Sequence, residues 1–281
     1  MLAIVGGTGL YELPGLEIRE RIRQPAPFGE PSGEVLKGRF DQHDILFLAR
    51  HGSGHQLLPH EVNYRANIFA LKQAGATMLL GFSAVGSLAA EVMPGDLAIP
   101  EQYFDWTRGG RRQTFFGAGV SAHISTARPV SAVLVDAVQD AALRISQRIH
   151  RGLTYACVEG PRLGTQAESH FLRQAGCHLV GMTNVPEVFL AREAQIAYAT
   201  VGLVTDYDCW LDDPEQHVSA TGIFALYRRT LEKAAQLLEE LLAGPLPEPE
   251  PAIRSALSTA ILTPDSALDG DQKQWLDILR R

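Results

Sequence analysis

The residues of this chain that could do chemistry stand where mostly apolar runs end. Leu2–Val5 empties into Gly6-Gly7-Thr8-Gly9, Asp44–Ala49 into Arg50-His51-Gly52, and Thr77–Phe82 into Ser83-Ala84-Val85-Gly86. Thr154–Val158 precedes Glu159-Gly160-Pro161-Arg162, Ala197–Val204 precedes Thr205-Asp206-Tyr207-Asp208, and Gly181-Met182-Thr183-Asn184 forms a sixth loop. Strands buried on both faces read as near-continuous apolar runs, and open α/β sheets collect ligands beyond the carboxyl ends of their strands. Thr8, Ser83 and Thr183 offer hydroxyls beside glycine or another small residue. Arg50 offers a planar fork matched to an oxyanion, and His51 adds a ring donor in the same turn. Taken singly, each has a bland reading: a tight turn, a surface arginine, a satisfied histidine. Four loops that each bring an anion donor point to one shared ligand, and phosphate is the natural choice. The first loop is no dinucleotide fingerprint, because the sixth position counted from Gly7 is Glu12.

Asp206 and Asp208 stand two apart after an apolar strand, which on an extended chain turns both side chains to one side. They could be a solvated loop pair or a helix cap. They could equally grip a purine, one carboxyl protonating N7 of a departing base and the other accepting from an exocyclic amino group. Like charges in a desolvated site would raise one pKa into the range that general acid work needs. Other chemistries fit less well. His51, His55 and His60 share one loop, but Pro59 and the glycines argue against a helix that would aim them at a metal. No G-x-S-x-G nucleophile elbow occurs.

The elements needed to position these loops follow from the pattern. Helices are predicted from Pro59 to about Ala74, over Pro129–Ile149, Gln166–Ala175 and Pro186–Ala194, and around Gly222–Leu242, with a further short strand at Leu97–Pro100. Strands alternating with helices predict a single α/β domain, its central mixed twisted β-sheet flanked by helices, over residues 1–244. Pro245-Leu246-Pro247-Glu248-Pro249-Glu250-Pro251 cannot continue a helix, so 245–281 reads as a Pro/Glu-rich segment and C-terminal extension with an amphipathic helix at Trp275, Leu276, Ile278 and Leu279. The chain has 281 residues, 46 % of them hydrophobic, and a formal net charge of −7, so no basic field favours nucleic acid or an anionic membrane. Three cysteines without a C-x-x-C pair fit a reducing, cytoplasmic setting. No apolar stretch approaches the roughly 18 residues of a membrane helix.

Read together, these loops resemble the trimeric purine nucleoside phosphorylase family, and within it the 5′-methylthioadenosine phosphorylase branch. The resemblance runs from Met1 to about Leu242. It is carried by the loops quoted above, by Pro59-His60-Glu61-Val62-Asn63-Tyr64-Arg65-Ala66-Asn67, and by the continuations Val185-Pro186-Glu187 and Cys209-Trp210. It implies a nucleoside phosphorylase-like fold, a homotrimer, and phosphorolysis of 5′-methylthioadenosine with inorganic phosphate as co-substrate and neither metal nor organic cofactor. It also implies roles. Thr8, Arg50, His51, Ser83 and Thr183 would hold phosphate with help from the Ala84 backbone, Met182 would lie against ribose, and Leu163 would line the base. Asp206 would serve N7 and Asp208 the 6-amino group. His123, Ala220 and Ile223 would surround the 5′ substituent, and Leu262 would come from a neighbouring subunit. Members acting on 6-oxopurines generally carry asparagine where Asp208 stands, so an aminopurine is favoured over inosine or methylthioinosine. A non-catalytic binder on the same fold is the other alternative. Ser83, Leu163, Gly164, Gln166 and Trp106 depart from the family's usual threonine, phenylalanine, serine, arginine and arginine.

Overall fold

The computed structural model describes residues 1–7, 15–24, 26–211 and 220–281, with the backbone alone for 220–225. Nine strands form one mixed sheet: β1 (Leu2–Gly6), β2 (Glu17–Ile22), β3 (Val35–Phe40), β4 (His43–Ala49), β5 (Met78–Ser87), β6 (Leu97–Trp106), β7 (Ile149–Val158), β8 (Leu179–Gly181) and β9 (Ala197–Asp206). Their order is β2-β3-β4-β1-β5-β8-β7-β6-β9, and β9 also pairs with β5. The last five strands therefore close on themselves, with β2 to β4 and β1 as an open wing.

Strand direction decides how the loops meet. β1, β4, β5 and β9 are parallel neighbours, as are β6, β7 and β8, but β8 runs antiparallel to β5 and β6 antiparallel to β9. The carboxyl ends of β7 and β8 thus do not lie at the edge where β1, β4 and β9 end. Their loops reach the same place because β5 is long. Its far half, Ser83–Ser87, stays in the ladder and pairs with β8 through Gly86↔Val180 and Ser87↔Leu179.

The helices cover both faces. On one face α1 (Tyr64–Gln73), α4 (Asn184–Glu193) and α7 (Gly270–Arg280) share a core that includes Ile68, Phe69, Val188, Leu190 and Leu276. On the other, α2 (Ala132–Arg144) and α5 (Ala220–Ala243) bury Leu134, Val138, Leu237 and Leu241 against β1, β5 and β9. The short helices α3 (Gln166–Gln174) and α6 (Pro251–Arg254) complete the set. α1 begins at Tyr64 and not at Pro59, because the Asn63 side chain accepts from the Ala66 amide and so caps the first turn. Gly75, at φ +97°, ends it as expected.

The segment after Pro245 packs on its own chain. Leu276 and Leu279 are fully buried, Trp275 stacks edge-on against Phe28 at 5.5 Å, and the Leu262 amide donates to the Ser121 carbonyl at 2.8 Å. Each fully buried leucine contributes roughly 1.5–3 kcal/mol, enough for α7 to be held without help from another chain. Among the described residues no helix is long and apolar enough to cross a membrane.

Candidate active site

Antiparallel pairing of β5 with β8 sets Ser83 opposite Thr183. The register Gly86↔Val180, continued by three residues, brings the two hydroxyls together, and their oxygens stand 2.9 Å apart in a buried position. Ser83 also donates to the Ala84 carbonyl at 3.2 Å, and the Thr183 amide donates to the Tyr155 hydroxyl at 3.3 Å. Three residues further along β5, Gly86 pairs with Asp206. A Cβ there would fall 2.9 Å from Oδ1 of Asp206 and 3.4 Å from Cβ of Asp208, so only glycine lets the two acids lie over the strand.

The acids are not arranged by extended alternation. Asp206 ends β9, and Asp208 sits in a turn at φ +54°. Oδ1 of Asp206 accepts from the Asp208 amide at 2.7 Å, and Oδ2 accepts from the Thr205 hydroxyl at 2.6 Å. The Asp206 carboxyl is pushed above its ordinary range mainly by burial, with the Asp208 charge the smallest contribution. One carboxyl is therefore elevated by desolvation more than by its acidic neighbour.

Arg50 is buried, and its fork is already engaged. Nε and Nη2 donate to the two carboxylate oxygens of Glu187 at 2.7 and 2.8 Å, Nη1 donates to the Phe82 carbonyl at 2.8 Å, and Nη2 reaches the Val5 carbonyl at 3.4 Å. Glu187 also accepts from Tyr198 at 3.0 Å. A single Nη1 hydrogen is left over from these bonds. His51 stacks on His55 with ring centroids 4.6 Å apart, and its Nδ1 lies 2.8 Å from the Leu57 carbonyl. Burial, then the Arg50 charge, lowers its pKa to about 4. At neutral pH the ring is thus uncharged, Nδ1 carries the proton that Leu57 accepts, and Nε2 keeps a lone pair.

Thr8 lies outside the described residues, as do the side chains of Ala220 and Ile223. Met182 packs on Gly160, where a Cβ would collide with its sulfur. Leu163 is 47 % exposed and Leu262 64 %. His123 lies at the surface, its amide donating to the Ala260 carbonyl at 3.0 Å. Beside Asp208 is a cavity of about 120 Å³, lined by Trp106, Gly160, Arg162, Gly164, Leu172 and Val180. A larger open cleft of about 520 Å³ is formed by tail residues such as Arg254, Ser258 and Asp265, and none of the strand-end residues lines it.

Two buried charged residues hold the site together that the pattern of strand ends does not reveal. Glu187 is one, by fixing Arg50. The other is Arg111, 5 % exposed, in the segment after β6. Its Nη1 donates to the carbonyls of Met182 and Val185 at 2.7 and 2.6 Å, its Nη2 to the Glu159 carbonyl at 2.8 Å, and its Nε to the Glu159 carboxylate at 3.0 Å. Although burial opposes the charge on Glu159, the Arg108 amide and Arg111 hold its carboxyl below the ordinary range. The pair of loops carrying Met182-Thr183 and Glu159-Gly160 is bolted to one guanidinium.

The Arg111 segment is clamped in turn by Glu193 at the end of α4. This buried carboxyl accepts from the Thr114 hydroxyl at 2.6 Å and the Phe115 amide at 2.8 Å, and burial raises its pKa to about 7. The unfolded chain ionises this group near its ordinary value while the folded chain keeps it protonated. Stability from this source therefore falls as pH rises from about 4.5 to about 7 and is flat above. Glu193→Gln keeps an acceptor and removes the titration. In urea unfolding, the variant's stability relative to the parent protein is expected to rise by roughly 2–3 kcal/mol between pH 4.5 and pH 8. A difference that does not change with pH would refute the assignment.

Burial pushes the Cys157 thiol up to about 12 and the Cys209 thiol up to about 11, so neither is a thiolate nucleophile at neutral pH. Among the described residues no group of three or more His, Cys, Asp or Glu side chains is placed to hold a metal ion.

The sequence model of the phosphorylase superfamily matches residues 1–243. S-methyl-5′-thioadenosine phosphorylase of Geobacter sulfurreducens is 43 % identical over 279 residues, covering 99 % of this chain and 97 % of its own, and that of Rhodospirillum rubrum is 45 % identical over 269 residues, covering 94 % and 91 %. Among solved structures, a methylthioadenosine phosphorylase sourced from an antarctic soil metagenomic library superposes with a TM-score of 0.92 at 40 % identity, covering 99 % of this chain and 98 % of its own. The methylthioadenosine phosphorylase from Schistosoma mansoni, in complex with adenine, gives 0.81 at 32 % identity, covering 86 % and 90 %.

Proposed function

The chain belongs to the phosphorylase superfamily, and on that premise we propose that it phosphorolyses 5′-methylthioadenosine to adenine and 5-methylthioribose 1-phosphate. The observation that carries the reading is β5 acting as a ruler. Its Ser83 end holds the paired hydroxyls with Thr183, and its Gly86 end holds the two acids. Three residues of strand span about 10 Å, the distance from an anion beneath C1′ to the amino edge of a purine.

The chemistry follows from the charges. Phosphate rests on the Ser83 and Thr183 hydroxyls, on Thr8 and on the Ala84 backbone. Arg50, already paired with Glu187, contributes one N–H rather than its fork. His51, uncharged with Nδ1 bound to Leu57, accepts at Nε2 from a phosphate O–H. The bond from C1′ to the base lengthens first and leaves an oxocarbenium-like ribosyl group, as in glycoside cleavage. Phosphate stabilises that cation and then bonds to C1′, while Asp206, whose acid form is favoured by burial, gives its proton to N7. Asp208 accepts from the 6-amino group, Met182 lies under the sugar, and Leu163, His123, Ala220 and Ile223 are assigned to the base and the methylthio end. No cofactor enters this scheme. The reading carries with it a cytoplasmic homotrimer in which residues 1–244 are the catalytic domain and Leu262 reaches a neighbour's pocket, and the exposure of Leu262 supports it.

The test is an assay for free base with methylthioadenosine, methylthioinosine and inosine. Adenine is expected from methylthioadenosine and only when phosphate is present. Release without phosphate, or faster turnover of either 6-oxopurine, would sink the proposal.

A further inference from the structure

We infer that the cavity beside Asp208 is a subsite for a substituent on the exocyclic nitrogen, so that the enzyme also takes N6-monoalkylated aminopurine nucleosides. The inference rests on the amino edge of the purine lying at Asp208, as the proposed function has it. Starting at Asp208, the cavity extends to Trp106, which is 39 % exposed, and to the ion pair Arg162–Glu168 at the surface. An amino substituent leaving the base would therefore have a path outward.

The path is open because Gly164 has no side chain. Its φ is outside the left-handed region, and a Cβ there would meet nothing nearer than the Asp208 carboxylate oxygens at 3.8 and 3.9 Å. Neither the turn nor a close approach requires glycine at this place. What glycine does is leave the space against the carboxylate empty. The walls are suited to carbon: Val158, Leu172 and Val180 line the cavity, and Trp106 is held between Phe171 at 4.9 Å and Phe104 at 5.7 Å. The lining also carries Arg108, Glu159, Arg162 and Glu168; Arg162 donates to both Glu168 oxygens, and the Glu159 carboxylate accepts from the Arg108 amide and from Arg111. A volume of about 120 Å³ is of the order that takes up a ring, since a cavity of about 150 Å³ binds benzene.

Hydrogen-bond counting sharpens the substrate class. A carboxylate only accepts, so Asp208 needs one N–H from the base. A secondary amine still has one and a tertiary amine has none. N6-alkyl nucleosides should be turned over, whereas N6,N6-dialkyl nucleosides should be rejected because they set carbon against the Asp208 carboxylate and offer it no N–H.

The experiment compares kcat/KM for 5′-methylthioadenosine and its N6-methyl, N6-benzyl and N6,N6-dimethyl derivatives, in the native enzyme and in Gly164→Leu. The monoalkyl compounds are expected within about tenfold of the parent nucleoside and the dimethyl compound at least about a hundredfold below it. Gly164→Leu should lower the ratio of N6-benzyl to parent activity by about tenfold or more, whatever it does to the parent rate. Parent turnover with monoalkyl rates more than a hundredfold lower overturns the subsite and leaves the proposed function standing. If the parent is not turned over at all, the proposed function fails, and calorimetry decides the subsite by itself. Comparable affinity for the N6-benzyl and parent nucleosides supports it, and binding of the parent alone refutes it.

Discussion

Asp206→Asn is expected to lower kcat for 5′-methylthioadenosine by about 10²–10⁴-fold while leaving the fold intact. Asparagine keeps an oxygen to accept from the Asp208 amide, so the turn that Asp206 caps survives. The proton is what the variant loses. In the native protein burial holds the Asp206 carboxyl above its ordinary range, and on the proposed mechanism the acid form is the active one. The rate should therefore decline as pH rises through that elevated pKa, and this limb of the pH profile should vanish in Asp206→Asn. A nucleoside already methylated at N7 needs no protonation there, and with it the native and variant enzymes should differ by less than about tenfold. A loss under about threefold with 5′-methylthioadenosine would show that another group supplies the acid. Loss of phosphate binding in the variant would instead place Asp206 at the anion and not at the base.

Legibility from sequence differed between elements for physical reasons. β1, β4 and β9 are mostly apolar, lie in the sheet's interior and end close to where the apolar runs end. β5 and β6 run on past the apolar pattern because Ser83–Ser87 and Tyr103–Trp106 still make ladder bonds, which do not depend on side-chain type. β2 reads Glu-Ile-Arg-Glu-Arg-Ile and is exposed almost throughout, an edge strand whose charges hide it from a hydrophobic reading and also guard it against pairing with another chain. The direction of β6, β7 and β8 has no mark in local sequence, since parallel and antiparallel neighbours can share one apolar run. Strand-end hydroxyls and acids could be picked out as residue types beside glycine. Their partners could not, because Glu187 meets Arg50 across 137 positions and most of Arg111's partners are main-chain carbonyls, which every residue possesses.

Arg111 carries the second large effect. Its guanidinium is a planar fork whose donors diverge, and here they hold Met182 and Val185 on one side and Glu159 on the other. A lysine ammonium keeps the charge but is a compact point on a flexible stem and cannot span both loops. In Arg111→Lys the loop bearing Met182 and Thr183 is free to shift against the loop bearing Glu159 and Gly160. A displacement of about 1 Å can reduce a rate by 10²-fold, and kcat/KM for the nucleoside is expected to drop by about that factor. KM for phosphate should rise as well, because Thr183 follows Met182 directly. Arg111→Ala separates positioning from simple loss of stability. It leaves a buried hole the shape of a guanidinium, and added guanidinium or methylguanidinium ion at low, non-denaturing concentration should restore part of the rate with saturation, whereas equal sodium chloride or urea should not. A protein that merely needed the arginine to stay folded would show no such saturable recovery at a temperature well below its unfolding midpoint. Arg111→Lys retaining kcat/KM within about threefold of native would mean that the two loops keep their spacing without the guanidinium, and that Arg111 is a packing residue and not the strut between sugar and base.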